Sequence, residues 1–173
     1  IHLLPPGHTL SVSLNGPRRP VEDCYWRYTV PGQPSTMSID DATEELSRLF
    51  EQAVTRQLMS DVPLGCYLSG GMDSSSITAI ARRKLGRLPT FTMGYDLSSA
   101  SGLELGFDER AQSEALSNLL KTEHYEMVLH AGDMEHTMPE LIWHLEDLRV
   151  GQCYPNYYVA RLAGKFVKVV LSG

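Results

Sequence analysis

The sequence predicts an α/β fold, a parallel sheet covered by helices on both faces, and three observations carry that prediction. Four short segments, PLGCYL, PTFTMGY, HYEMVL and FVKVVL, are apolar or β-branched enough to be strands buried on both faces. Stretches with apolar residues at helical spacing separate them, and strands that alternate with helices assemble in parallel. The first strand runs into a glycine-rich turn and then a helix, the arrangement that opens a ligand site at the carboxyl edge of such a sheet.

Taken in order, residues 1–38 are rich in proline and glycine, with β-like stretches at Thr9–Leu14 and Tyr25–Val30. They suit a linker or a small ribbon more than an independent core. Ser38 and Asp41 have capping spacing before apolar residues at Leu46, Leu49, Phe50, Ala53, Val54 and Leu58, which predicts a helix over 40–59. The strand PLGCYL follows, then a helix with Ile77, Ile80, Ala81 and Leu85 inward and Gly86 at its end. PTFTMGY is the next strand, at the spacing of a βαβ unit. Residues 96–106, rich in Ser and Gly, read as a long mobile loop. Asp108 then caps a helix with Ala111, Ala115, Leu116 and Leu119 inward, and HYEMVL makes the third strand. DMEHTMPELIWHL is a helix that Pro139 either starts or kinks, with Met138, Leu141, Ile142 and Leu145 on one face. Residues 157–164 form a last helix before FVKVVL, read as a fully buried strand.

Composition limits the function. A net charge of -6 over 173 residues argues against a nucleic acid as main partner, since such affinity rests on clustered Lys and Arg. The run Arg82-Arg83-Lys84 is short and reads as a solvated helix face. Cys24, Cys66 and Cys153 have neither disulfide nor metal spacing, which fits free thiols in a cytoplasmic protein. No stretch is long and apolar enough to suggest a membrane helix. The chain opens at Ile1 without Met and stops at a strand meeting a new Gly turn, so it reads as a piece of a longer protein.

The chemistry concentrates in LGCYLSGGMDSSS, residues 64–76. Gly70 and Gly71 allow a tight turn that presents successive N–H groups, and the following helix start adds unpaired donors. Ser69, Ser74, Ser75 and Ser76 add hydroxyls, so the turn suits a phosphate. Asp73 among these donors would repel an anion unless a divalent cation such as magnesium lies between them. No Lys follows the glycines, which excludes the Walker loop. A plain turn with an Asp or Ser cap has the same local pattern.

YLSGGMDSS resembles the pyrophosphate-loop (PP-loop) signature of the ATP pyrophosphatases, whose adenine nucleotide alpha hydrolase-like fold the predicted sheet matches. Flanking segments narrow the resemblance to the synthetase domain of glutamine-dependent asparagine synthetase: LLPPGHTL with Tyr25-Trp26, SDVPLGCYLSGGMDSS, FDE with KTEHYE, and KFVKVVLSG. The resemblance implies a truncated domain over 39–173, preceded at 1–38 by a linker and the end of a glutaminase-domain region. It also implies that Leu68, Ser69, Gly70, Gly71 and Ser74 hold ATP, with Asp73 on Mg2+. Met93 and Gly94 would lie against adenine, and Ser172 and Gly173 would close the phosphate side. The implied reaction is amide formation from aspartate, ATP and ammonia taken from glutamine by an amidotransferase part. The second acidic loop, a later catalytic Lys and the nucleophilic N-terminal Cys of that family fall outside these residues, and neither Cys24 nor Cys66 replaces that Cys. The resemblance therefore implies no catalytic residue within this piece, little or no synthetase activity is expected of it alone, and its open sheet edges suit self-association. Glu146-Asp147-Leu148-Arg149 departs from the acidic pair and proline common in the family.

Other readings stand beside this one: a related amide ligase of the β-lactam synthetase kind, a non-catalytic nucleotide-binding module, and transfer RNA modification, which the acidic charge disfavours. His124, His130, His136 and His144 match no metal-binding spacing. Trp143, Tyr154, Tyr157 and Tyr158 read as core and rim aromatics, and Glu146 and Asp147 as either solvated or near the substrate.

Overall fold

The computed structural model describes residues 2–30, 32, 36–99, 106–146 and 151–173. Residues 100–105 of the expected loop, and Asp147, Leu148 and Arg149, lie outside the described residues. The chain divides into two compact units, Ile1–Ala42 and Thr43–Gly173.

The first unit is a hairpin of β1 (His8–Val12) and β2 (Pro20–Cys24), antiparallel with His8 opposite Cys24 and Val12 opposite Pro20. The second strand therefore precedes the expected Tyr25–Val30 stretch. The ladder ends at Gly7, whose carbonyl accepts from the N–H groups of both Tyr25 and Trp26, at 2.9 and 3.1 Å. Gly7 has φ +71°, and a Cβ there would run into the Trp26 carbonyl, so the turn that stops the ladder requires glycine. Nearly all of this hairpin is exposed, as expected of a ribbon without a core.

Helix α1 (Ile39–Gln57) starts at the expected cap. Ser38 Oγ accepts the Asp41 N–H at 3.1 Å and donates to the Asp41 carboxylate at 2.7 Å. Its apolar face is only partly covered: Val54 is buried and Phe50 and Leu58 half-buried, whereas Leu46, Leu49 and Ala53 are exposed.

Four parallel strands make the sheet, in the order β5-β4-β3-β6: β3 (Leu64–Tyr67), β4 (Pro89–Tyr95), β5 (Glu123–Leu129) and β6 (Val169–Leu171). The chain winds outward from β3 through α2 (Met72–Lys84) to β4, then through α3 (Arg110–Leu120) to β5. It returns through α4 (Asp133–Leu145) and α5 (Cys153–Ala163) to place β6 on the other side of β3. The direction of winding thus reverses between β3 and β6, where such sheets open a crevice at their carboxyl ends.

Strand alternation assigns the faces. Cys66 packs with Ala81 of α2 and Leu88, while Phe91 packs with Val159 and Ala163 of α5 and with Val167. Each of these buried side chains contributes on the order of 1.5–3 kcal/mol when large and apolar. Gly65 belongs to the Phe91 face, where a Cβ would come within 2.7 Å of the Phe91 ring. Farther out, Tyr95, Leu129 and Tyr158 form a third cluster, in which Tyr158 accepts the Thr137 hydroxyl at 2.6 Å and ties α4 to α5.

Several expectations are corrected. Helix α3 turns Ser113 and Ser117 inward, with Leu116 half-buried, and leaves Ala111, Ala115 and Leu119 exposed. Small side chains let that helix lie close to the sheet, and the Ser113 hydroxyl is satisfied within the helix on the Glu109 and Arg110 carbonyls, both at 3.0 Å. Strand β6 is not fully buried: Val169 is exposed because only β3 pairs with it among the described residues. Helix α4 runs through Pro139 and starts at Gly132, φ +93°, so Pro139 does not start it. Trp143 is 80% exposed on α4 and is not a core aromatic. Helix α2 ends with Leu85 in extended conformation, so Gly86 supplies no left-handed cap. No helix among the described residues is long and apolar enough to cross a membrane.

Candidate functional site

A cleft of about 400 Å³ lies at the carboxyl ends of β3, β4 and β6, lined among others by Leu68, Ser69, Ser74, Met93, Ser172 and Gly173. Folding thus brings together six residues proposed from sequence although they span three strands. Leu68 extends the sheet, its N–H donating to the Phe91 carbonyl at 2.9 Å, and this holds the start of the turn against β4.

The turn is closed by its own side chains. Gly71 N–H donates to Ser69 Oγ at 3.1 Å, the Ser69 and Ser74 hydroxyls lie 2.7 Å apart, and Ser69 N–H donates to Ser74 Oγ at 3.1 Å. Proton counting allows a chain from Gly71 N–H to Ser69, from the Ser69 hydroxyl to Ser74, and from the Ser74 hydroxyl to the Ser69 or Gly71 carbonyl, each 3.3 Å away. Ser75 spends its hydroxyl on the Gly71 carbonyl at 2.6 Å. Three of the four expected hydroxyl donors therefore shape the turn itself. The first-turn amides of α2 remain, with no side-chain cap on them, and they carry the positive end of the helix dipole.

The tight turn expected at the two glycines needs no left-handed backbone. Gly71 has φ −72° and ψ 152°, and Gly70 has no positive φ either. Gly70 is instead a point of close approach, where a Cβ would stand 2.7 Å from the Gln112 side chain on α3. Gly173 presses on the start of α2: a Cβ there would be 2.7 Å from Ser74 N and 2.9 Å from Asp73 Cβ. The strand end at Ser172-Gly173 and the helix start at Asp73-Ser74 are thus in backbone contact. Asp73 is exposed on the first turn of α2 and, with Gly70 and Gly71, does not line the cleft.

Gly94 does not line the cleft either, and the space its side chain would take is filled by Arg110. Arg110 bonds both Asp108, at 2.6 Å from Nη2, and the Tyr95 carbonyl, at 2.8 Å. The N-cap of α3 is Glu109, with no side-chain cap bond, and not the expected Asp108; Asp108, one residue earlier, accepts the Arg110 N–H at 3.1 Å and the Tyr95 N–H at 3.3 Å. The Arg110 guanidinium holds the Asp108 carboxyl below its ordinary range. Burial pushes the Tyr67 phenol up, so it lines the cleft as a neutral group at neutral pH.

Sequence reasoning missed Tyr67, Phe91, Thr92, Glu109, Gln152, Asn156 and Val159, which also line the cleft. Period-two alternation would have put Tyr67, Phe91 and Met93 on one face, and Glu109 lies in the FDE segment already singled out. Nothing local marks Gln152 and Asn156, which reach the cleft because α5 packs on β4. Among the described residues no group of three or more His, Cys, Asp or Glu is placed to hold a metal ion, and His124 instead bonds Thr90 at 3.0 Å.

A family model described as asparagine synthase matches residues 45–173. The chain belongs to the asparagine synthase family. A Mycobacterium tuberculosis relative is 36% identical over 152 residues, covering 85% of this chain and 22% of that protein. Asparagine synthetase (glutamine-hydrolyzing) 1 of Bacillus subtilis is 31% identical over 142 residues, covering 82% and 21%. The Triphysaria versicolor asparagine synthetase (glutamine-hydrolyzing) is 33% identical over an alignment of 177, covering 99% and 29%. This member of the asparagine synthase family thus spans less than a third of the length of these relatives. Among solved structures, an NMN synthetase from Francisella tularensis is similar with a TM-score of 0.40 at 15% identity, covering 78% of this chain and 53% of that one.

Proposed function

We propose that this chain is the first part of an ATP-cleaving synthetase domain, and that the whole protein makes asparagine from aspartate, ATP and ammonia derived from glutamine. The single observation that carries the reading is the contact between Gly173 and the Asp73-Ser74 backbone, which joins the SGGMDSS turn to the end of β6 at the point where the winding of the sheet reverses. In this reading residues 1–38 are the linker and the end of a glutaminase region, and the rest of the synthetase domain follows residue 173. The setting is cytoplasmic, where the free thiols stay reduced.

Leu68 and Met93 give the adenine an apolar wall, while Ser69, Ser74, Ser172 and Gly173 surround the phosphates and Gly70 and Gly71 shape the turn beside them. The donor set fits Mg2+: Asp73 is an accessible carboxylate on the first turn of α2, and magnesium commonly takes one or two carboxylates with phosphate oxygens and waters. Bound there, Mg2+ would neutralise charge on the departing pyrophosphate. The aspartate β-carboxylate attacks the α-phosphorus, forming a β-aspartyl adenylate as the bond to the pyrophosphate oxygen breaks. The unpaired amides at the start of α2 are aimed at the charge that builds on the leaving group, and their rigid turn costs no reorganisation. Ammonia then displaces AMP to give the amide.

Asp73→Ala in the full-length protein should lower aspartate-dependent pyrophosphate release by roughly 100-fold or more, the loss typical of one electrostatic group. Pyrophosphate release at the normal rate would overturn the role of Asp73. Faster release with another carboxylic acid than with aspartate would favour a related amide ligase.

A further inference from the structure

Two short segments meet behind the cleft. Met93 and Glu109 both line it, and each is followed or flanked by a residue tied to the other segment. Arg110 Nη2 donates to the Tyr95 carbonyl at 2.8 Å, its Nε donates to Asp108 at 3.0 Å, and Asp108 returns to the Tyr95 N–H at 3.3 Å. Both side chains are shielded, 24% exposed for Arg110 and 10% for Asp108. The guanidinium stem crosses the backbone at Gly94, where a Cβ would stand 2.6 Å from Cδ and 2.7 Å from Cγ. A planar, bidentate cation can hold a carboxylate and a carbonyl together in one geometry, which an ammonium cannot reproduce. Asp96 and Glu126 are the other charges that bear on Arg110, and both favour its cationic form.

We propose that Arg110, locked on Asp108, is the positioning residue for the β4 wall of the nucleotide cleft, and that Gly94 serves the site by making room for Arg110 and not by touching the ligand. The proposal rests on the nucleotide reading above. Its consequence is that Gly94 and Arg110 act as one unit. A Cβ at residue 94 displaces the Arg110 side chain, and once that side chain is cut back to its own Cβ the added one has space.

The test is a titration of the full-length protein with the α,β-methylene analogue of ATP and Mg2+, for wild type, Gly94→Ala, Arg110→Ala and the double variant, with circular dichroism as the folding control. Each single variant should bind about 10-fold or more weakly, since small misplacements of a binding wall cost 10- to 100-fold. The double variant should match the Arg110→Ala variant to within about 2-fold, because the losses of contacting residues that act as a unit do not add. Arg110→Lys, which keeps charge and stem, should not restore binding. In the full-length protein the same variants should raise KM for ATP and leave kcat of pyrophosphate release nearly unchanged. Equal losses from Gly94→Ala in both backgrounds, or wild-type affinity in Arg110→Ala or Arg110→Lys, would overturn the proposal while leaving the nucleotide reading in place. Failure of the wild type to bind the analogue would overturn the nucleotide reading and the proposal with it.

Discussion

Ser74→Ala removes one oxygen from the turn and leaves one amide without its partner. Ser69 N–H loses its acceptor at 3.1 Å, and the Ser69 hydroxyl, which still accepts the Gly71 N–H, loses its contact at 2.7 Å. Ser74 is 8% exposed, whereas Ser69 is half-buried, so water reaches the hydroxyl more easily than the amide. One amide left unpaired in a largely dry site costs about 1–3 kcal/mol, and partial access of water places the expected loss near 1.5 kcal/mol. For a chain of this size that corresponds to a fall in the thermal midpoint of roughly 3–6 °C. Urea unfolding followed by circular dichroism measures it directly, as a lower midpoint at unchanged slope. Ser69→Ala should cost a similar amount, and the double variant less than the sum, because the two hydroxyls share one bond. A Ser74→Ala protein as stable as wild type, or strict additivity in the pair, would refute the account of a turn closed by its own side chains.

Gly65→Ala should destabilise the chain by about 1–3 kcal/mol in the same urea assay, because the added Cβ overlaps the Phe91 ring 2.7 Å away; an unchanged midpoint would show that the ring moves aside freely. Burial pushes the Cys66 thiol up to about 11, so iodoacetamide at neutral pH should label exposed Cys24 and spare Cys66 until denaturant is added, as read by peptide mass spectrometry. Arg110 lowers the Asp108 carboxyl, so its contribution to stability is complete above the ordinary carboxylate value of about 3.9 and is lost as pH falls through the lower folded value. Thermal midpoints measured across that acid range should drop less steeply for Arg110→Met than for wild type, and parallel curves would rule the pair out as a source of acid sensitivity.

Strands and helices were legible where local chemistry decides them. PTFTMGY is β4 residue for residue, and Ser38 with Asp41 marked the start of α1 because a capping hydroxyl and its amide are three residues apart. Faces were less legible. The apolar count on α3 favours Ala111, Ala115 and Leu119, yet the helix buries Ser113 and Ser117, because how closely a helix lies on a sheet depends on side-chain size as well as polarity. The hairpin moved for a similar reason: Tyr25-Trp26 has strand character, but the Gly7 carbonyl takes both of their amides and ends the ladder first.

For the site, the sequence by itself determined the chemistry of the loop, a turn of small and hydroxyl residues with one acid between a strand and a helix start, because those properties reside in neighbouring residues. Which partner each group has was decided only by tertiary structure. Ser69 and Ser74 turn inward to hold the loop, Gly70 admits Gln112, Gly94 admits Arg110, and Gly173 comes back beside Asp73 across the sheet. The physical reason is the strand order: β6 lies next to β3 although about 100 residues separate them in the chain, and that neighbourhood is set by how the crossovers pack and by no local pattern.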